Sequence, residues 1–226
     1  MAIAHDANTR FPATENTTDT TTGNRSFTHT PTGTPKGVVV VVMCTGNISV
    51  LTGVSYGGVQ LVLTLTKDDL SEAERIQIFT LTDSIVPTGA QTVVLQGCTA
   101  TVKYCTVSTV TAATNATHVN SSNSANAIST NPQVTVTTTA TTMTYGGTSS
   151  GNLNVLTVPA TGNTAQNNAD YGALVSMTSR RSAADAAGSI VLGWTFATSD
   201  NWAVAAVSLE EFTVNDLPSL VMGVWG

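Results

Sequence analysis

Gly53-Val54-Ser55-Tyr56-Gly57 fits the G-x-S-x-G pattern of a nucleophile elbow. Asp83 and His118 follow in the chain order that an α/β-hydrolase uses for its acid and base. That chemistry needs a strained strand–turn–helix to hold the serine hydroxyl exposed. Here Gly57-Gly58 leads straight into residues 59–66, where Val59, Leu61, Leu63 and Leu65 alternate with polar residues. Period-two alternation is a strand signal, and paired glycines supply the positive φ of a tight hairpin. Residues 53–66 are therefore predicted as a hairpin. His118 sits in an Asn/Ser-rich stretch with no evident positioning partner, so no catalytic residue is assigned and the chain is read as non-enzymatic.

The other chemistry-bearing residues are dispersed. His5, His29 and His118 are too scattered to suggest a metal site, and the spacing of His29 places it on a strand surface. Asp68, Asp69, Glu72 and Glu74 belong to the single charge-dense segment, residues 67–75. They lack the spacing of an EF-hand loop, so an exposed charged turn or short helix is expected, with a loop-bound Ca²⁺ as the alternative. Carboxylates for glycoside hydrolysis cannot be paired from spacing alone. Cys44, Cys98 and Cys105 are odd in number without ligand spacing, which points to reduced, buried thiols and assembly in a reducing cytoplasm. Trp194 and Trp202 fall in phase with apolar strand neighbours and are expected in the core rather than as sugar platforms. Trp225 lies outside any strand pattern, where a large aromatic suits an interface anchor. Asn16, Asn47, Asn115 and Asn120 match N-x-[ST], which chance explains in so Thr-, Ser- and Asn-rich a chain. No cofactor and no metal ligands are assigned.

Charged residues make up only 10% of the chain, against about 25% in ordinary soluble domains. Threonine supplies 42 of 226 residues, a composition that favours strands because Thr is stiff at χ1 and packs well on a pleated surface. The net charge of −6, with no basic cluster beyond Arg180-Arg181, leaves nothing to neutralise phosphates. Nucleic acid is therefore not an expected partner. The longest apolar run, residues 38–44, is far short of the roughly 20 residues of a membrane span. The start M-A-I-A-H-D has neither a basic nor an apolar signal region, so no secretory signal is expected.

The architecture is organised around residues 30–44, T-P-T-G-T-P-K-G-V-V-V-V-V-M-C. Apolar residues at both parities predict a strand covered on both faces or central in its sheet. About eleven short strands with turn signals every 8–15 residues predict an all-β, two-layer antiparallel β-sandwich with jelly-roll connections over residues 25–210. Residues 190–196 and 202–209 are expected to form one hairpin. Residues 111–131 read as a long polar surface loop and candidate binding region. Residues 1–24 read as an extended arm or as disorder, with Ile3 and Phe11 the sizeable apolar anchors. Residues 211–226 form an apolar tail carrying Phe212, Leu217, Leu220, Val221, Met222 and Trp225. It either folds back on its own sandwich or docks on another subunit. Phe11 and these tail residues are the candidate subunit interface.

Residues 26–42, 54–61, 87–93 and 201–210 (S-F-T-H-T-P-T-G-T-P-K-G-V-V-V-V-V, V-S-Y-G-G-V-Q-L, P-T-G-A-Q-T-V, N-W-A-V-A-A-V-S-L-E) together resemble a β-sandwich module of tailed-phage virion proteins and bacterial surface proteins. The resemblance spans about residues 8–210 and carries no catalytic residue. It implies a virion component on the capsid surface, partnered by capsid or other virion proteins and by further copies of itself. Two roles follow: a capsid decoration (cement) protein clamped by its arms, or a tail-fibre or receptor-binding protein whose loops bind a host glycan. Heptads, collagen-like repeats and β-helical repeats, the usual marks of a fibre shaft, are missing from the sequence, which favours decoration.

Overall fold

The computed structural model describes residues 3–13, 22–45, 51–71, 74–82, 86–99, 102–112, 117–150, 163–171, 175–182 and 187–211. Its first half contains β1 (Ala4–Phe11), β2 (Gly23–His29), β3 (Gly37–Thr45), β4 (Gly53–Tyr56), β5 (Val59–Gln60), β6 (Val62–Asp68), β7 (Glu74–Thr82), β8 (Gln91–Cys98) and β9 (Val102–Thr111). Its second half contains β10 (Thr117–Ser129), β11 (Gln133–Thr138), β12 (Thr142–Ser150), β13 (Asn163–Tyr171), β14 (Val175–Ser182), β15 (Gly188–Gly193) and β16 (Asp200–Glu211). Every described pairing is antiparallel.

The five valines occupy β3, the middle strand of a sheet ordered β1-β9-β3-β7-β6. Their two parities serve two different cores. Val38, Val40 and Val42 face a smaller sheet, β2-β8-β4-β5, and meet Val54, Tyr56, Val93 and Leu95. Val39, Val41 and Met43 face a second five-stranded sheet, β10-β16-β12-β14-β13, and meet Tyr145, Ala203, Ala205 and Leu209. β16 repeats the arrangement: its opposite parity, Trp202, Val204 and Ala206, packs on Val134, Val136, Leu192, Trp194 and Phe196 at the two-stranded sheet β11-β15. The β-sandwich is thus the central pair of sheets, and a smaller sheet covers each of its outer faces. Trp194 and Trp202 are core residues. Cys44, Cys98 and Cys105 are buried and unbridged in the core around Val40. Burial, with Cys98 close by, pushes the Cys44 thiol up to about 12.

Four local expectations are corrected. Residues 117–129 are no loop: they form β10, paired with β16 from Thr117↔Glu211 to Ser129↔Asp200. Backbone pairing needs no apolar side chain, and Asn120, Ser121 and Asn123 donate to the carbonyls of Thr137 and Thr135 on β11. Residues 190–196 and 202–209 do not form a hairpin, because β15 belongs to a different sheet from β16 and faces it across a core. Residues 4–11, within the expected arm, pair with β9 of their own sheet, and Ile3 is buried in the central core. Finally, Leu63 and Leu65 do not share a face. Leu63 pairs with Phe79 but Leu65 pairs with Ile78, so Thr64 is an extra residue that inverts the alternation.

Two-sided burial makes β3 intolerant at both parities. Val40→Ala and Val41→Ala are each expected to cost about 2 kcal/mol by urea unfolding. One of the pair would be near neutral if β3 were covered on a single face.

Candidate functional site

Three places bring polar or exposed apolar groups together. The first is the G-x-S-x-G segment. β4 and β5 pair as a hairpin (Ser55↔Gln60, Tyr56↔Val59), turned by Gly57 at φ 55° and Gly58 at φ 83°. Strand, not helix, follows the serine, as its sequence anticipates. His118 lies on β10, with the whole β3 sheet between it and Ser55, and meets Glu210 at 3.7 Å. Asp83 lies outside the described residues.

The second place is a buried network around His29, which is fully buried and not on a strand surface as expected. Its Nδ1 lies 2.8 Å from Thr9 Oγ1 and its Nε2 3.2 Å from Thr109 Oγ1. Thr109 donates its hydroxyl proton to Asp6 Oδ2 at 2.9 Å. With that proton committed, Thr109 accepts from His29 Nε2–H, which leaves Nδ1 to accept from Thr9. Asp6 Oδ1 also accepts from Thr32 Oγ1 and from the Gly33 amide at 2.7 Å. Burial raises the Asp6 pKa, but hydrogen bonds from Thr32, Thr109 and Gly33 outweigh it, and the net shift is downward. Burial depresses His29 to about 4 despite the nearby Asp6 charge, so the imidazole is neutral at pH 7. Tyr56, its ring centroid 5.9 Å from that of His29, is pushed up to about 12 by burial and then by Asp6, and its hydroxyl has no hydrogen-bond partner among the described residues. This network joins β1, β2, β9 and the turn at residues 32–33, and it is closed to solvent at the imidazole. Its chemistry is fastening: one carboxylate and one neutral imidazole hold an edge strand that has little apolar surface. Sequence reading missed it because the partners lie 20 to 103 positions apart.

The third place is the flank where β6 and β10 run side by side. Within the expected exposed turn at residues 67–75, Leu70 and Ser71 are exposed but Asp69 and Glu74 are buried, at 2% and 3% exposure. Arg75 holds Asp68 with two donors, at 2.5 and 2.8 Å. Ser149 donates to Glu74 Oε2 at 3.1 Å across the central core, and Ser150 donates to Asp200. Asn126 donates to the Asp68 carbonyl at 2.9 Å, and the Leu70 amide donates to Asn201 Oδ1 at 3.1 Å. The Ser149–Glu74, Asn126–Asp68 and Leu70–Asn201 bonds lock the two large sheets together at one end. No cluster of three or more His, Cys, Asp or Glu among the described residues is arranged to hold a metal ion. An open cleft of about 400 Å³ lies beside the turn, lined by Thr66, Lys67, Asp68, Asp69, Leu70 and Asn126.

Four of the five exposed large hydrophobics among the described residues fall on this flank: Val62 at 68%, Leu63 at 48%, Leu70 at 56% and Ile128 at 66%. The sequence pattern concealed Leu63, because alternation groups it with Leu61, which is buried at 5% exposure, and does not say where the cover over that face ends. Of the interface residues expected from sequence, Phe11 stacks on Phe27 with ring centroids 4.9 Å apart and packs against its own core. Phe212, Leu217, Leu220, Val221, Met222 and Trp225 lie outside the described residues. Comparison of the chain with family models, curated proteins and solved structures finds no match.

The His29 network sets a pH dependence. The unfolded imidazole titrates near 6.5 and the folded one near 4, so between those values the unfolded state binds more protons and stability falls as pH falls. Asp6, also depressed, adds in the same direction at lower pH. Urea unfolding is expected to lose roughly 3 kcal/mol between pH 7 and pH 4 from His29 alone. His29→Asn should flatten that slope, and an unchanged slope would refute the assignment.

Proposed function

We propose that this chain is a non-enzymatic structural protein of a phage virion, a head decoration (cement) protein that binds and stabilises neighbouring capsid subunits. The observation that carries the reading is the exposed apolar flank at Val62, Leu63, Leu70 and Ile128. Large aliphatic side chains gathered in solvent along one flank, where single scattered ones would need no explanation, mark a contact with another macromolecule. Residues 212–226, with eight apolar side chains in fifteen residues, supply a second such surface in sequence. Low charge density supports the same reading, because many copies can then crowd on a shell with little mutual repulsion. His29 and Ser55 are enclosed by packing, so the groups most suited to covalent chemistry sit away from the surface a partner would meet. Jelly-roll connectivity and the arm role of the chain's ends belong to this proposal.

A receptor-binding role at a tail tip has one observation in its favour, the cleft beside Asp68 and Asn126, whose hydrogen-bonding side chains suit a host glycan. Purified phage capsids separate the two. Decoration predicts saturable binding that drops at least about tenfold when Leu220 and Trp225 are replaced by polar residues, the scale of losing an interface hot spot. Unchanged occupancy would count against the clamp, and tail-tip immunogold labelling together with a glycan-array signal would establish the receptor reading instead.

A further inference from the structure

The position and direction of the β6 flank identify what covers it. β16 ends at Glu211, opposite Thr117, whose hydroxyl donates to the Lys36 carbonyl beside Gly37. Gly37 pairs with Thr82, and Thr80 of the same strand pairs with Val62. Glu211, the last described residue, therefore lies at the Val62 end of the flank. From Val62 to Leu70 the flank is about 26 Å long, and fifteen extended residues reach about 50 Å, so residues 212–226 have ample length.

Direction decides whose segment fits. β16 runs towards the Val62 end and β6 runs away from it. A segment that left β16 and lay on β6 of its own chain would have to run parallel to β6. Every described pairing in this fold is antiparallel, and an isolated parallel pair at a sheet edge is the weaker arrangement. A segment arriving from another molecule is free to lie antiparallel.

We propose that the flank formed by β6, the turn at residues 69–71 and β10 is the receptor for residues 212–226 of a second copy of this chain. The inference rests on reading that segment as an arm, and it names the arm's partner. The bulge at Thr64 and the Asn126 bond to the Asp68 carbonyl limit backbone pairing to the Val62–Leu63 stretch. Burial of Val62, Leu63, Leu70 and Ile128 beneath the segment's apolar side chains supplies the rest. Each copy carries both receptor and arm, so the contact is head-to-tail and generates a ring or a chain of copies.

Sedimentation of two full-length variants, alone and mixed, tests this without a capsid. Leu63→Lys spoils the receptor and leaves the arm, whereas Leu220→Asp with Trp225→Ser spoils the arm and leaves the receptor. The wild type is expected to self-associate as its concentration rises, and each variant alone to do so at least about tenfold more weakly. Mixed in equal amounts, the two should recover a one-to-one complex, because one intact arm meets one intact receptor. Val62→Lys serves as a second receptor variant, with circular dichroism confirming the fold of each. A wild type monomeric at every concentration, or a mixture that fails to pair, overturns the proposal. Capsid binding by a protein that never self-associates would sink this inference and leave the decoration reading standing; self-association without capsid binding would do the reverse.

Discussion

A strand that is apolar on both faces cannot be satisfied by one neighbour, and β3 places that demand at the centre of the molecule. Its valines require a sheet on each side, and the requirement propagates. The sheet that covers Val39 and Val41 does so through Ala203, Ala205 and Leu209 of β16, but β16 is itself apolar at the opposite parity. Trp202, Val204 and Ala206 therefore require a further cover, which β11 and β15 provide. Propagation stops where strands alternate. β11 is buried at every second residue, and β2 exposes polar residues between its buried ones. The number of layers thus follows from how many strands in succession are two-sided.

With so few charges, the edges of these layers are secured by hydroxyls and amides. β1 contributes little apolar surface beyond its ends, and Asp6, Thr9 and the buried His29 hold its middle. β10 offers its side-chain amides to the carbonyls of β11, which joins two sheets that share no ladder. At the far end, Ser149 and Ser150 meet Glu74 and Asp200. A buried carboxylate is costly unless each of its oxygens finds donors, and short hydroxyl side chains supply donors without the bulk of an arginine. This accounts for much of the threonine and serine enrichment: these residues suit strands and also fasten one layer to the next.

Features set by local pattern were legible in the sequence. The valine run declared a doubly covered strand, Gly57-Gly58 declared a hairpin in place of a nucleophile elbow, and the phase of Trp194 and Trp202 declared core. Features set by long-range pairing were not. β10 reads as a loop because its partners are backbone groups of β16 and its side chains are polar for a reason that only β11 reveals. His29 reads as surface because alternation says which residues share a face but not whether that face is covered. The division of the β6 leucines was hidden for a third reason: one inserted residue, Thr64, reverses the parity of everything after it and sends Leu65 to the opposite face from Leu63, and single-residue bulges leave no mark in a hydropathy pattern.

The bulge also decides which side chains of that edge find cover. Without it, Leu63 and Leu65 would share a face, and β6 would be an ordinary half-buried edge. With it, Leu65 packs against the central core while Val62 and Leu63 remain exposed. Edge bulges are a common defence against indiscriminate strand pairing, since they interrupt the regular row of donors and acceptors. A defence that also leaves large aliphatic side chains in solvent gains little against aggregation. The combination makes physical sense where the edge must refuse most strands and accept one, with backbone pairing held short and apolar side chains selecting the partner. Local rules of strand construction are broken at β6 while the surrounding sheets obey them, and such isolated departures concentrate where a surface has work beyond folding.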